Sequence, residues 1–138
     1  MTKEIQMNWL DGMAFQSELD GHTLVIDADD SVGGTNRGPQ PKGLLLVSLA
    51  GCTAMDVISI LKKMREPVSW FNLKVSGDLT EEHPKKFTSF KVIYQFKKSD
   101  GLNPDNVQKA VELSQNKYCG VSATLRKAAD LAWEIEYI

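Results

Sequence analysis

Through the first 28 positions one parity of the chain is mostly apolar and the other mostly polar. Ile5, Met7 and Trp9 share a phase, Asp11-Gly12 interrupts it, and Met13, Phe15, Ser17 and Leu19 take up the next run. Asp20-Gly21 then precedes Leu24, Val25 and Ile26. A period of two marks half-buried strands, and Asp-Gly between such runs tolerates the positive φ that two-residue hairpin loops demand. The pattern predicts a three-stranded meander. Residues 29–41, DDSVGGTNRGPQP, have no hydrophobic period and are rich in Gly, Pro, Asn and Asp, so they read as a loop.

The pattern then changes character. Leu44 to Leu61 is a run of 18 residues whose only charge is Asp56. A helix is expected from about Pro41 or Lys42 to a point before Pro67, with Lys62, Lys63 and Arg65 where the helix dipole favours cations. Its length approaches that of a membrane span. However, Ser48, Gly51, Thr53, Asp56 and Ser59 are small or polar, a central Asp is costly in hydrocarbon, and no aromatic residue marks either end. The expectation is therefore a long buried central helix, apolar on nearly every side and surrounded by protein. So small a chain suggests that a second subunit supplies part of the cover.

Two strands follow, with Leu73, Val75, Gly77 and Leu79 alternating in one and Phe90, Val92, Tyr94 and Phe96 in the other; residues 81–85 connect them. Asn103-Pro104 opens a second helix, because Asn can cap it and Pro suits its first position. Val107, Ala110, Val111 and Ser114 mark one face, Tyr118-Cys119-Gly120 breaks or bends the helix, and a further turn or two runs over 122–128. Trp133, Ile135 and Tyr137 alternate with Glu134 and Glu136 in a last strand. The predicted order is βββ-α-ββ-α-β, an α+β fold in a single domain over 1–138.

Composition narrows the function. With 16 Lys+Arg against 18 Asp+Glu in 138 residues, the net charge of -2 argues against an electrostatic nucleic-acid binder. The chain is long enough to fold without a disulfide framework or structural metal. Its first residues lack the apolar core of a secretory signal, which favours a cytoplasmic location. In that compartment two cysteines are usually free, metal-bound or redox-active.

Cys52 lies inside the long helix and Cys119 at the predicted break, 67 residues later. A thiolate can attack a peroxide O–O bond, and a second thiol can condense the resulting sulfenic acid to a disulfide, so two cysteines suffice for one cycle. Cys119 precedes a helix start, where a dipole and free N–H groups favour a thiolate. Cys52 needs a neighbouring cation or hydrogen-bond donor instead. Asp56, four residues on, shares its helical face and opposes a thiolate, unless it is simply a buried Asp with its own partners. Arg37 is the nearest preceding cation of guanidinium type, suited equally to solvent, a carboxylate or a thiolate. Inert buried thiols are the bland alternative. No metal or cofactor is expected: His22 and His83 form no zinc-like spacing with the cysteines, and Gly33-Gly34 begins no phosphate loop.

Three stretches carry a family resemblance: Gly38-Pro39-Gln40-Pro41-Lys42-Gly43-Leu44-Leu45-Leu46, Leu49-Ala50-Gly51-Cys52-Thr53-Ala54-Met55-Asp56-Val57, and Tyr118-Cys119-Gly120-Val121-Ser122. Together with the element order they resemble the OsmC/Ohr family of osmotically inducible and organic-hydroperoxide-resistance proteins. The resemblance spans essentially the whole chain. It implies an intertwined homodimer with sites at the subunit interface, each built around the long helix. It also implies a cysteine-based peroxidase in stress defence, with Cys52 attacking an organic hydroperoxide, Cys119 resolving it and an external dithiol as reductant. The family's peroxidases carry a Glu shortly before the first cysteine and an Arg in the N-terminal hairpin region. Here Lys42 and Gly43 precede the helix and no Arg precedes Arg37, as in a divergent branch. Arg37 or Lys42 is then the candidate thiolate support. The alternative is a non-peroxidatic dimer that binds a small apolar ligand, with the cysteines as pocket lining.

Overall fold

The computed structural model describes residues 1–138 and divides into two compact units, Met1–Leu45 and Leu46–Ile138. In the first unit β1 (Met7–Asp11), β2 (Ala14–Leu19) and β3 (His22–Ile26) form an antiparallel sheet in the order β1-β2-β3. Leu19 pairs with His22 across a two-residue turn in which Asp20 (φ 50°) and Gly21 (φ 79°) are both left-handed, as the Asp-Gly signal predicts. β1 begins two residues later than the expected phase, so Ile5 lies outside it.

The loop after β3 is organised by Asp27. Its Oδ1 accepts the Ala28 N–H at 2.8 Å, and its Oδ2 accepts the N–H groups of Thr35 (3.1 Å) and Arg37 (3.2 Å). These donors, the Ala28 N–H foremost, hold the Asp27 carboxyl below its ordinary range. The loop packs so closely that a Cβ at Gly34 would lie 1.8 Å from the Ala28 carbonyl oxygen, and one at Gly38 2.0 Å from that of Val25. Only glycine fits there.

α1 (Gly43–Lys63) starts one or two residues later than expected and closes on Arg65, whose left-handed φ of 59° lets the Glu66 N–H reach the Leu61 carbonyl. The second unit contains the sheet β4 (Phe71–Leu79), β5 (Phe87–Phe96) and β6 (Asp130–Tyr137), in that order. β4 and β5 are antiparallel, whereas β5 and β6 are parallel and joined through the helical segment between them. α2 (Pro104–Leu113) is capped by Asn103, whose side chain accepts the Asp105 N–H, with Pro104 at its first turn. A π-helical turn (Ser114–Tyr118) and α3 (Gly120–Leu125) follow.

The core of this unit joins Leu49, Val57 and Leu61 of α1 to Phe90, Val92, Tyr94 and Phe96 of β5 and to Val107, Ala110 and Val111 of α2. The β5 and α2 members are the alternating and helical positions picked out by periodicity, whereas the α1 stripe is not distinguished in so uniformly apolar a helix. The single chain covers only one stripe of α1, so the full cover expected for so apolar a helix is not supplied within it. Only Leu49, Thr53, Val57 and Leu61 are buried, while Val47 and Met55 are 65% and 71% exposed. By length and composition α1 could cross a membrane, its mean hydropathy being 2.1 over 18 residues. Its buried stripe is nevertheless packed on protein, and Thr53 and Asp56 hydrogen-bond to protein groups.

Candidate functional site

Cys52 sits on α1 one residue before the buried Thr53, half-buried itself, and Asp56 follows one helical turn later on the same side. Cys119 is the residue at which the helical segment breaks. The π turn gains one residue per turn, the Cys119 N–H bonds the Ser114 carbonyl at 2.8 Å, and the backbone of Cys119 turns extended before α3 begins. Its sulfur accepts the Ser122 N–H at 3.3 Å and the Ser122 hydroxyl at 3.1 Å. The expected break and the expected helix start after Cys119 are both present.

The fold brings the two free sulfurs together. Cys52 Sγ, Cys119 Sγ and a carboxylate oxygen of Asp56 all lie within 4.8 Å of one another, with Cys119 buried. Burial is the main reason the Cys52 thiol is pushed up from its ordinary range; the neighbouring Cys119 thiol and the Asp56 charge push the same way, and the Val121 N–H opposes them. Asp56 therefore opposes the Cys52 thiolate, as its spacing predicts.

A buried polar chain lies behind the sulfurs. Thr53 Oγ1 is 2.6 Å from the Tyr94 hydroxyl and 2.8 Å from the Ser114 hydroxyl, and Ser114 donates to Asp56 Oδ2 at 2.9 Å. Gln115 donates to the Tyr94 oxygen at 2.6 Å. Arg126 in turn clamps Gln115, donating to its backbone carbonyl at 2.6 Å and its side-chain oxygen at 2.7 Å. No buried side-chain polar atom is left unpaired. Burial raises the Tyr94 phenol, with Thr53 and Gln115 partly offsetting it.

Periodicity missed Gln115, Tyr94's polar role and Arg126. A signal did exist for two members: Thr53 interrupts the apolar series Leu49, Val57, Leu61, and Ser114 falls on the apolar stripe of α2. A polar residue on a buried stripe needs a buried partner.

Beside Asp56 opens a groove of about 480 Å³ lined by Met55, Ser59, Ile60 and Lys63 of α1 with Leu113 and Tyr118. Arg37 and Lys42 both belong to the first unit. There the Arg37 guanidinium donates to Asp11 Oδ1 at 2.7 Å, and Lys42 is exposed in the turn before α1. His22 and His83 are exposed, in β3 and in the β4–β5 connection.

A family model described as OsmC-like protein matches residues 34–134. Protein YhfA of Escherichia coli K12 is 31% identical over 136 residues, 98% of each chain. A hypothetical protein from Aquifex aeolicus VF5 has a crystal structure that superposes with a TM-score of 0.83 at 28% identity, covering 100% of this chain and 98% of that one. The organic hydroperoxide resistance protein OhrB of Bacillus subtilis shares the fold, with a TM-score of 0.67 at 16% identity over 99% of this chain and 98% of that one.

Proposed function

The chain belongs to the OsmC-like family, and from that premise we propose that it is a cysteine-based peroxidase that reduces organic hydroperoxides in the cytoplasm as part of stress defence. The observation that carries this reading is the approach of two free sulfurs from distant parts of the chain to within 4.8 Å.

The cycle needs only those sulfurs and an external dithiol. The Cys52 thiolate attacks one peroxide oxygen, an S–O bond forms as the O–O bond breaks, and the departing alkoxide takes a proton to become an alcohol. The Cys119 sulfur then gives up its proton and attacks the sulfenic sulfur, the S–S bond forms as the S–O bond breaks, and the departing hydroxide takes that proton to leave as water. A disulfide has its sulfurs about 2.05 Å apart, so closure requires a modest approach of α1 and the start of α3. A dithiol reductant restores both thiols by exchange. Cys52 is assigned the attack because it is half-buried and its sulfur lies within 4.8 Å of a carboxylate oxygen of Asp56, which lines the groove, whereas Cys119 is buried and suited to resolve. The groove's apolar side chains suit an organic hydroperoxide, each buried methylene contributing about 0.8 kcal/mol.

The working unit in this reading is a homodimer of single-domain chains. Of residues 1–45 only Ala14, Ser17 and Asp27 are buried, while Trp9 is 65% exposed, and α1 leaves Val47 and Met55 uncovered. Apolar surface on that scale marks an association face. In the dimer Arg37 or Lys42 supports the Cys52 thiolate in place of the Glu and Arg of other family members.

The test follows cumene hydroperoxide consumption with dihydrolipoamide as reductant. Wild-type protein turns over, Cys52→Ser does not, and Cys119→Ser loses turnover with dithiols. A wild-type rate no greater than that of Cys52→Ser rejects the reading. One observation favours the second reading, a dimer that binds a small apolar ligand: the Cys52 thiol is pushed up beside a carboxylate, which is poor activation for a nucleophile. Slow, substoichiometric Cys52–Cys119 disulfide formation under mild peroxide would favour it.

A further inference from the structure

Asp56 has no role in the peroxidase cycle and works against it, since it sets a carboxylate beside a pair of thiols that must ionise to react. No ion pair compensates: the side-chain salt bridges of the chain are Arg37–Asp11 and Lys91–Glu134, both elsewhere. What the carboxylate and the two sulfurs share is ligand chemistry. Two soft thiolates and a carboxylate oxygen are the donors that zinc takes, and three protein ligands with one position left for water is an ordinary coordination set for it. The metal's charge offsets the repulsion that the three groups otherwise suffer.

The geometry points to a binding site for a soft divalent cation of the Zn²⁺ type, formed by Cys52 Sγ, Cys119 Sγ and an Asp56 carboxylate oxygen in the reduced protein. The three ligand atoms lie within 4.8 Å of one another. Tetrahedral zinc with sulfur ligands at about 2.3 Å places neighbouring donors roughly 3.8 Å apart, so the site closes with a small adjustment. The carboxylate is already oriented, because Ser114 holds Oδ2 at 2.9 Å, Thr53 holds Ser114, and Tyr94 holds Thr53 in turn. Such a second layer of hydrogen bonds is what fixes a metal-ligating side chain. Cys52 and Asp56 are half-buried and Asp56 borders the groove, which provides an entry path and room for a water at the fourth position.

The sequence has no zinc-like spacing because the ligands come from one helix and from a chain break 67 residues away. Only the fold assembles them. Metal and disulfide exclude one another, since both use the same sulfur electron pairs, so reduced protein holds the ion and oxidised protein does not. The inference uses the sulfurs of the proposed peroxidase site but does not require that they reduce peroxide.

The test is titration of reduced, metal-free protein with Zn²⁺ against a chromophoric chelator, and with Co²⁺ to read thiolate-to-metal charge-transfer bands. The expected result is one ion per chain, charge-transfer bands with Co²⁺, and loss of binding when wild-type protein is oxidised to the Cys52–Cys119 disulfide with diamide. Cys52→Ser and Cys119→Ser abolish the bands, and Asp56→Asn weakens Zn²⁺ binding by roughly tenfold or more while leaving the thiols in place. Oxidised wild type needs no substitution, so it decides the question even if a variant fails to fold. Absence of binding by the reduced protein, or binding undiminished by oxidation, overturns the site. Hydroperoxide turnover is measured separately with chelator present: turnover without Zn²⁺ binding rejects only the metal site, and Zn²⁺ binding without turnover rejects only the peroxidase.

Discussion

Ser114 and Asp56 are joined by a 2.9 Å hydrogen bond although 58 residues separate them, and Ser114 is wholly buried. The bond ties the π turn to α1 next to the two sulfurs. Ser114→Ala leaves Asp56 Oδ2 without this donor and removes one of Thr53's partners. The expected cost is about 1–3 kcal/mol, the usual range for orphaning a buried polar group. Urea denaturation of the reduced variant checks it, and a midpoint equal to wild type would show that the contact contributes nothing.

Cys52 chemistry should respond to Asp56 in a definite direction. Burial is the largest cause of the raised Cys52 thiol, and the Asp56 charge adds to it. Removing that charge favours the thiolate. In chelator-treated protein carrying Cys119→Ser, the alkylation rate of Cys52 should keep rising past the ordinary thiol range near pH ~8.5. Adding Asp56→Asn should bring the midpoint down. The pH dependence of monobromobimane labelling reads both, and an unchanged or higher midpoint contradicts the assigned repulsion.

Alkali should destabilise the fold. Cys52, Tyr94 and Tyr137 are all raised, chiefly by burial, so the folded chain keeps protons that the unfolded chain releases. Their contribution to stability is complete below the unfolded thiol and phenol values, about 8.5 and 10, and is lost as pH rises from these toward the higher folded values. Urea midpoints of reduced protein are expected to fall over that interval. Tyr94→Phe loses the contacts to Thr53 and Gln115 and starts lower at neutral pH, but declines less steeply above about pH 10. Equal slopes for the two proteins would show that Tyr94 is not a source of the decline.

The uncovered face of α1 predicts the consequence of placing charge there. Met55 and Val47 are exposed in the single chain. In the proposed dimer such side chains contribute roughly 1.5–3 kcal/mol each when covered, and an ionised Glu in their place costs more than that gain. Val47→Glu should therefore shift the chain to monomer in sedimentation at micromolar concentration. A dimer as tight as wild type would place the interface elsewhere, and a monomeric wild type would remove it.

The elements were legible because each depends on local pattern. Phe90, Val92, Tyr94 and Phe96 alternate in the sequence and are all buried in β5, and Asn103-Pro104 caps α2 as its chemistry requires. Asp20-Gly21 turns where positive φ is needed. The two cysteines were also legible as the candidates for chemistry, through their contexts and the family resemblance. Composition marked α1 as apolar on nearly every side, but it could not say which side β5 and α2 cover and which stays open, because it reports that a surface is apolar and not what lies against it.

What the sequence by itself determined was therefore the order of elements, the buried faces of β5 and α2 and the two sulfurs worth watching. Tertiary structure alone decided that Cys52, Cys119 and Asp56 meet within 4.8 Å, and that Thr53, Tyr94, Ser114 and Gln115 form one chain of hydrogen bonds beside them. The physical reason is separation along the chain. Periodicity assigns a residue to a face of its own element, but distances between faces depend on how α1, β5 and the π turn pack, and one extra residue in that turn sets where Cys119 lands.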